Sequence, residues 1–205
     1  MDIEKLKQEQ LRLAKKVITS DSFGKIETIA GVDQSFEGDK VISAIVVCSY
    51  KDMKPIEKQH AEAESKTPYI SGFLSYRESP AIVEAFNKLE NKPDILIVDG
   101  NGILHPRRMG MASHVGILLD IPTIGVAKSL IGGHLSEGVV YMEKEARAYE
   151  FFSREYAKPL YISPGHKISL KTSLEIIKKC IVLPHKLPEP LHLAHRLADT
   201  LRKNI

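Results

Sequence analysis

The 205-residue chain is poor in the features that mark specialised protein classes. It has two cysteines, Cys48 and Cys180, each inside an apolar run, with no CxxC pair and no finger-type spacing. That excludes a disulfide framework and a thiolate zinc site, and suits two buried, reduced thiols. No stretch approaches the roughly 20 apolar residues of a membrane span. The leading MDIEKLKQEQLRLAKKV is charged throughout and lacks the apolar centre of a signal peptide. A soluble, cytoplasmic protein with no membrane partner is therefore expected. Charge of one sign is scarce too: the formal net charge is +3, which is compatible with nucleic acid but below the excess typical of a non-specific binder. Low-complexity linkers, internal repeats and long charge runs are absent. With 43% hydrophobic residues, the chain is expected to form one domain over residues 1–205.

The apolar periodicity that is present predicts a mixed α/β order. A helix is expected over 3–17, with Ile3, Leu6, Leu13 and Val17 on one side. Strands are expected over 27–36 and 40–50, joined by a turn at Glu37-Gly38-Asp39, with a third at 55–63. A helix over 75–90, stopped by Asn91-Lys92-Pro93, leads into a strand at 94–99. A helix over 108–119, with Met111, Ala112, Val115 and Leu118 inward, leads into a strand at 121–127. Residues 132–160 suggest a β excursion, and a strand follows at 159–163. A helix over 170–182, with Thr172 and Glu175 spaced as in a capping box, and a last helix from 191 to about 203 complete the chain. Hairpin strands first and β-α-β units later imply a mixed sheet with helices on both faces.

Two strands carry a carboxylate where burial is expected: Asp33 in TIAGVDQSF and Asp99 in ILIVDGNG. Either aspartate alone suits a turn. Together they suggest a cation, because two like charges about 4 Å apart repel by about 4 kcal/mol at an effective dielectric near 20. Glu78, early in a helix, suits the macrodipole and would also make a third hard oxygen ligand, which favours Mg2+ or Mn2+ over a soft metal. Lys128 ends IPTIGVAK as Asp99 ends its strand, and reads either as an exposed strand-end lysine or as a phosphate-neutralising one. His105, Arg107 and Arg108 follow the glycines and are candidates for phosphate contact. His192, His195 and Asp199 share a side of the last helix. H-x-x-H alone does not make a zinc site here, since no accompanying zincin pattern is found.

In combination, GVDQSF, PYISGFLSYRESP, ILIVDGNGILHPRRMGMASHVGILLDIPTIGVAKS, SPGHKISLKTSLEI and LPEPLHLAHRLAD resemble the endonuclease V family, the deoxyinosine 3′ endonucleases. The resemblance runs from about residue 28 to 200. It implies a ribonuclease H-like fold, a mixed β-sheet flanked by helices. It also implies Mg2+-dependent hydrolysis, with Mn2+ as a substitute, of the second phosphodiester bond 3′ to inosine. DNA containing deoxyinosine is the implied partner, with inosine-containing RNA as a variant, and the chain is expected to act as a monomer. The family's metal acids fall on Asp33, Glu78 and Asp99, and its catalytic histidine and lysine on His195 and Lys128. Its wedge tyrosine falls on Tyr69. Its pocket or active-site positions fall on Gly72, Leu74, Gly100, Gly102 and His105. Backbone N–H groups of Gly100 or Gly102 are expected to meet the oxygen at position 6 of hypoxanthine. The family wedge reads Pro-Tyr-Ile-Pro, whereas Ser71 stands in the last place here, which removes one φ constraint. Three alternatives stand beside this reading. One is a ribonuclease H-like nuclease for hybrid or branched substrates. Another is a non-catalytic lesion binder, and the third is a kinase, for which no phosphate loop is present.

Overall fold

The computed structural model describes residues 2–65 and 67–204. The elements are, in order, α1 (Ile3–Ala14), β1 (Thr28–Glu37), β2 (Lys40–Ser49), β3 (Pro55–Glu64), α2 (Leu74–Asn87), β4 (Ile95–Asp99), α3 (Met111–Leu119), β5 (Thr123–Ala127), β6 (His134–Ser136), β7 (Val139–Met142), β8 (Glu145–Phe151), β9 (Leu160–His166), α4 (Leu170–Lys179) and α5 (Glu189–Lys203). The strands form one sheet in the order β3-β2-β1-β4-β5-β9-β8-β7-β6. β1, β4 and β5 run parallel and end at the same edge, while β2, β3, β8 and β9 pair antiparallel. This is the mixed sheet flanked by helices that the pattern led us to expect.

Strand alternation sorts the side chains onto two faces. Ile29, Ile95, Ile97, Ile124 and Val126 pack with Ile176, Leu191 and Ala194 of α4 and α5. Ala30, Val32, Leu96 and Val98 pack with Ile82, Phe86 and Val115 of α2 and α3. Period two carries this forward: Asp33, Asp99 and Lys128 fall on the α5 face, Asp33 midway along β1 just past its last pair with β4, Asp99 at the end of β4 and Lys128 just after β5. Gly31 lets α5 lie directly on β1, since a Cβ there would meet Leu191 N and Pro190 C at 2.3 Å. Both thiols are buried and free, and burial pushes each up to about 12.

Several expectations are corrected. The buried residue of α1 is Gln10, and Ile3 is 41% exposed. The third helix begins at Met111 rather than 108, because Arg108 takes a left-handed φ of 56° and Gly110 N–H turns back to Gly102 O at 3.0 Å. Leu118, expected inward, is 51% exposed. The cap of α4 is Ser169, whose Oγ accepts from Thr172 N–H at 3.2 Å, so no Thr172–Glu175 box forms. The excursion after residue 132 resolves into β6–β8, and β9 runs on to His166, further than expected.

Candidate functional site

The parallel strands deliver Asp33 and Asp99 side by side, and α2 brings Glu78 to the same edge. Asp33 and Glu78 are buried. Each is pushed up to about 7, by burial first and then by the neighbouring Asp99 carboxylate. Two cationic side chains answer them. Lys128 Nζ lies 2.5 Å from Asp99 Oδ2. Burial pulls the Lys128 pKa down, but the charges of Asp99 and Asp33 outweigh it and raise the value. His195 Nδ1 lies 2.6 Å from Asp33 Oδ2, and its Nε2 is 3.7 Å from Asp199 Oδ2. His192 points elsewhere on α5, stacking on His185 with ring centroids 3.7 Å apart.

This donor set fits a hard divalent cation. Three carboxylates supply oxygen ligands, and burial together with the mutual repulsion of the acids raises both buried ones, an effect that a cation would oppose. Among the described residues, no three His, Cys, Asp or Glu side chains already stand as a closed cage. The reason is visible in the pairing: Asp99 is turned to Lys128, and Asp33 to His195. Asp33, Glu78 and Asp99 are the residues positioned to hold the ion, with His195 beside them.

A half-open pocket of about 460 Å3, its mouth included, adjoins the carboxylates. Glu78 and Asp99 form one wall, and Gly72, Leu74, Gly100, His105 and Met111 form much of the rest. Gly72 adopts φ +81°, a conformation that favours glycine. Its carbonyl is gripped from three sides, by Gln10 Nε2 at 2.9 Å, Arg107 Nη2 at 3.0 Å and His105 Nε2 at 3.2 Å. Tyr69, three residues earlier, is 72% exposed.

The expected role of two glycine N–H groups does not survive. Gly100 N–H is spent on Val126 O at 3.0 Å, and Gly102 N–H on Ser163 Oγ at 2.7 Å. Gly102 does not line the pocket. Two helix starts line the pocket instead. Leu74 and Ser75 open α2, Met111 opens α3, and no side chain among the described residues caps either helix. First-turn N–H groups have no partner within their own helix. The arginines have partners within the chain. Arg107 is committed to Gln10 Oε1 at 2.5 Å and to Gly72, and Arg108 to Glu145 at 2.5 Å. Both arginines therefore have protein partners, although Arg108 stays one-third exposed. Gln10 and Ile131 were not singled out from the sequence, and Ile131 closes the pocket from the segment after Lys128.

A family model described as Endonuclease V matches residues 11–196. Endonuclease V of Trichormus variabilis is 44% identical over 203 residues, covering 94% of this chain and 90% of the relative. That of Dictyoglomus turgidum is 42% identical over 194 residues, covering 91% and 85%. The crystal structure of the Bacillus subtilis Endonuclease V superposes with a TM-score of 0.90 at 32% identity, covering 99% of this chain and 93% of that one. Ciona intestinalis Endonuclease V, solved in complex with a 24mer DNA containing an inosine followed by a ribo-adenosine, gives 0.88 at 30% identity, covering 98% of each.

Proposed function

The chain belongs to the endonuclease V family, and from that premise we propose that it recognises deoxyinosine in DNA and hydrolyses the second phosphodiester bond on its 3′ side, in the service of DNA repair. The observation that carries this reading is one shared wall: Asp99 and Glu78 belong both to the carboxylate cluster and to the pocket beside it. A base held in that pocket brings its own backbone to the carboxylates. The action is proposed to be that of a cytoplasmic monomer.

Residue roles follow from position. Tyr69 is presented to solvent on a turn held by the Gly72 carbonyl, where its ring can fill the gap left by an extruded base. The uncapped starts of α2 and α3 offer N–H donors that suit the 6-oxygen of hypoxanthine and leave the amino group of adenine unpaired, a discrimination of about 1–3 kcal/mol. Asp33, Glu78 and Asp99 would hold Mg2+, or Mn2+ as its substitute, and the bound ion would supply Lewis acidity to the phosphate and to water. Lys128 adds positive charge where the phosphate gathers negative charge. His195 fixes the orientation of Asp33 through its 2.6 Å bond.

Labelled oligonucleotides with one inosine, incubated with the purified chain and Mg2+ or Mn2+, test the reading. One nick near the inosine, ending in a 5′-phosphate, is expected. Absence of cutting with both ions overturns it. Asp99→Ala is expected to abolish cutting and keep measurable binding. A second reading, inosine in RNA as the preferred target, is favoured by the Ciona relative's complex, in which a ribonucleotide follows the inosine. Matched DNA and RNA oligonucleotides decide between the two by kcat/KM.

A further inference from the structure

The β8–β9 connection, residues 152–159, and the α4–α5 turn, residues 182–188, have no part in the reaction above, yet they flank its site. Ala127 at the end of β5 pairs with Tyr161, and Phe151 pairs with Leu160. The 152–159 connection therefore sits at the sheet edge that carries Asp99 and Lys128. Arg154 Nη1 ties it to the α4–α5 turn by donating to Pro184 O at 2.9 Å. Lys186, on that turn, has its pKa lowered by burial and then by the charges of Lys128, Lys158 and Arg154. Four cations thus gather beside the carboxylates. Glu155 is the one acid within the two segments before the helix start.

Large apolar side chains are interleaved with this charge. Phe152 is 58% exposed, Leu183 69% and Tyr156 97%, and Tyr156 holds a left-handed φ of 58°. A ring almost wholly in water, on strained backbone, contributes nothing to the fold. Cations that repel one another and rings without internal partners are the two components of a single-strand nucleic-acid track: charge for phosphates and aromatic faces for unpaired bases.

The position of the patch fixes which part of a substrate it meets. The pocket opens on the α2/α3 side of the sheet, whereas Asp33, Asp99 and Lys128 fall on the α5 side by strand alternation. The connection that carries Arg154 and Lys158 adjoins the β5 end that carries Lys128, and Arg154 ties it to the α4–α5 turn that carries Lys186, on the side of α4 and α5. A strand with its inosine in the pocket and its cut bond to the 3′ side crosses the carboxylates from the first side to the second. We propose that Arg154, Tyr156, Lys158 and Lys186, with Phe152, form a track for the single-stranded segment that leaves the site 3′ to the cut. The proposal rests on the inosine reading and adds a surface and a direction to it.

Cleavage kinetics of the full chain test it. Inosine oligonucleotides ending just past the cut are compared with ones running about ten nucleotides further on the 3′ or the 5′ side. On the 3′-extended substrate, the combined variant Arg154→Ala/Lys158→Ala/Lys186→Ala should raise KM and leave kcat unchanged. It should also flatten the plot of log(kcat/KM) against log[KCl] by about 2, at roughly 0.7 for each phosphate no longer neutralised. Tyr156→Ala should weaken the same substrate about tenfold without changing the salt slope, and a complementary strand over the 3′ segment should abolish that difference. On the short and 5′-extended substrates both variants should match wild type. An unchanged salt slope, or equal losses on all three substrates, overturns the track alone. A wild-type chain that cuts none of the substrates overturns the inosine reading, and the track with it.

Discussion

Gly102 is walled in by backbone. A Cβ there would lie 2.0 Å from Pro164 O and 2.6 Å from Pro164 C. These atoms belong to β9 and have no rotamer through which to move away. Gly102→Ala is therefore expected to cost about 1–3 kcal/mol as overpacking, read as a lower urea midpoint at unchanged m-value. Wild-type stability would show that the strand can shift. His105, buried under the pocket, makes a different prediction. Its Nδ1 faces the N–H groups of Arg107 at 3.2 Å and Met109 at 3.4 Å, so the proton belongs on Nε2, which donates to Gly72 O. Burial, then the Arg107 charge, lowers its pKa from 6.5 to about 4. A depressed histidine pKa means that the unfolded chain binds the proton first. The stabilising contribution is complete above pH 6.5 and is lost as pH falls toward 4. Between pH 7 and pH 5 the loss amounts to roughly 2 kcal/mol. His105→Asn, which cannot titrate, should show that much less pH dependence in urea unfolding, and an identical profile would reject the assignment.

At the scale of an element, α1 acts as a strut for the pocket. It is capped by Asp2, whose Oδ1 accepts from Glu4 N–H at 3.1 Å and Lys5 N–H at 3.2 Å. Its one buried side chain, Gln10, reaches both Gly72 O and Arg107 Nε, while Tyr76 of α2 donates from its hydroxyl to Leu6 O at 3.3 Å. Arg107 in turn lies over the Phe73 ring, 4.5 Å from its centroid. The turn that presents Tyr69 is thus held from outside by a helix more than 50 residues earlier in the chain. Gln10→Leu keeps the volume and removes the donor to Gly72 O and the acceptor for the half-buried Arg107 Nε, at a cost of about 0.5–1.5 kcal/mol per lost bond. If the strut positions the turn, KM for an inosine oligonucleotide rises while kcat holds. Gln10→Glu should recover the Arg107 contact and stability without recovering KM, since its carboxylate faces the Gly72 carbonyl with no donor. Equal KM in all three proteins would reduce Gln10 to a structural residue.

Across the whole molecule, what could be read in advance was what a local period decides. The apolar pattern put Asp33 inside a strand and Asp99 and Lys128 at strand ends, and helical spacing put His195 and Asp199 on one side of α5, though His192, expected with them, stacks on His185 instead. What could not be read depends on distant partners. Arg107 meets Gln10 across 97 residues, and Gly102 N–H is taken by Ser163 across 61. No local pattern signals either pairing, so a charged loop looked free and a glycine looked available. The β6–β8 excursion shows the same long-range dependence in its stability. Its cluster is small, with Leu104, Val140 and Ala148 buried and Met142 and Tyr161 alongside, and β6 is exposed throughout. Arg147, 3% exposed, holds it to the pocket: Nη1 donates to His105 O at 2.8 Å, and the other nitrogens reach Glu145 at 2.9 Å and Glu143 at 3.2 Å. β1, β2, β4 and β5, by contrast, are buried between helices on both faces. Sparse apolar contact predicts early opening, so native-state hydrogen exchange should find β6 and β7 unprotected first and β1 and β4 last. Arg147→Met, which leaves a carbonyl and two carboxylates without their donor, should lower the opening free energy of β7 and β8 by about 1–3 kcal/mol while β1 and β4 keep theirs. If protection falls by the same amount in every strand, the excursion and the central sheet unfold as one cooperative unit, and Arg147 is part of the core rather than the fastening of an appendage.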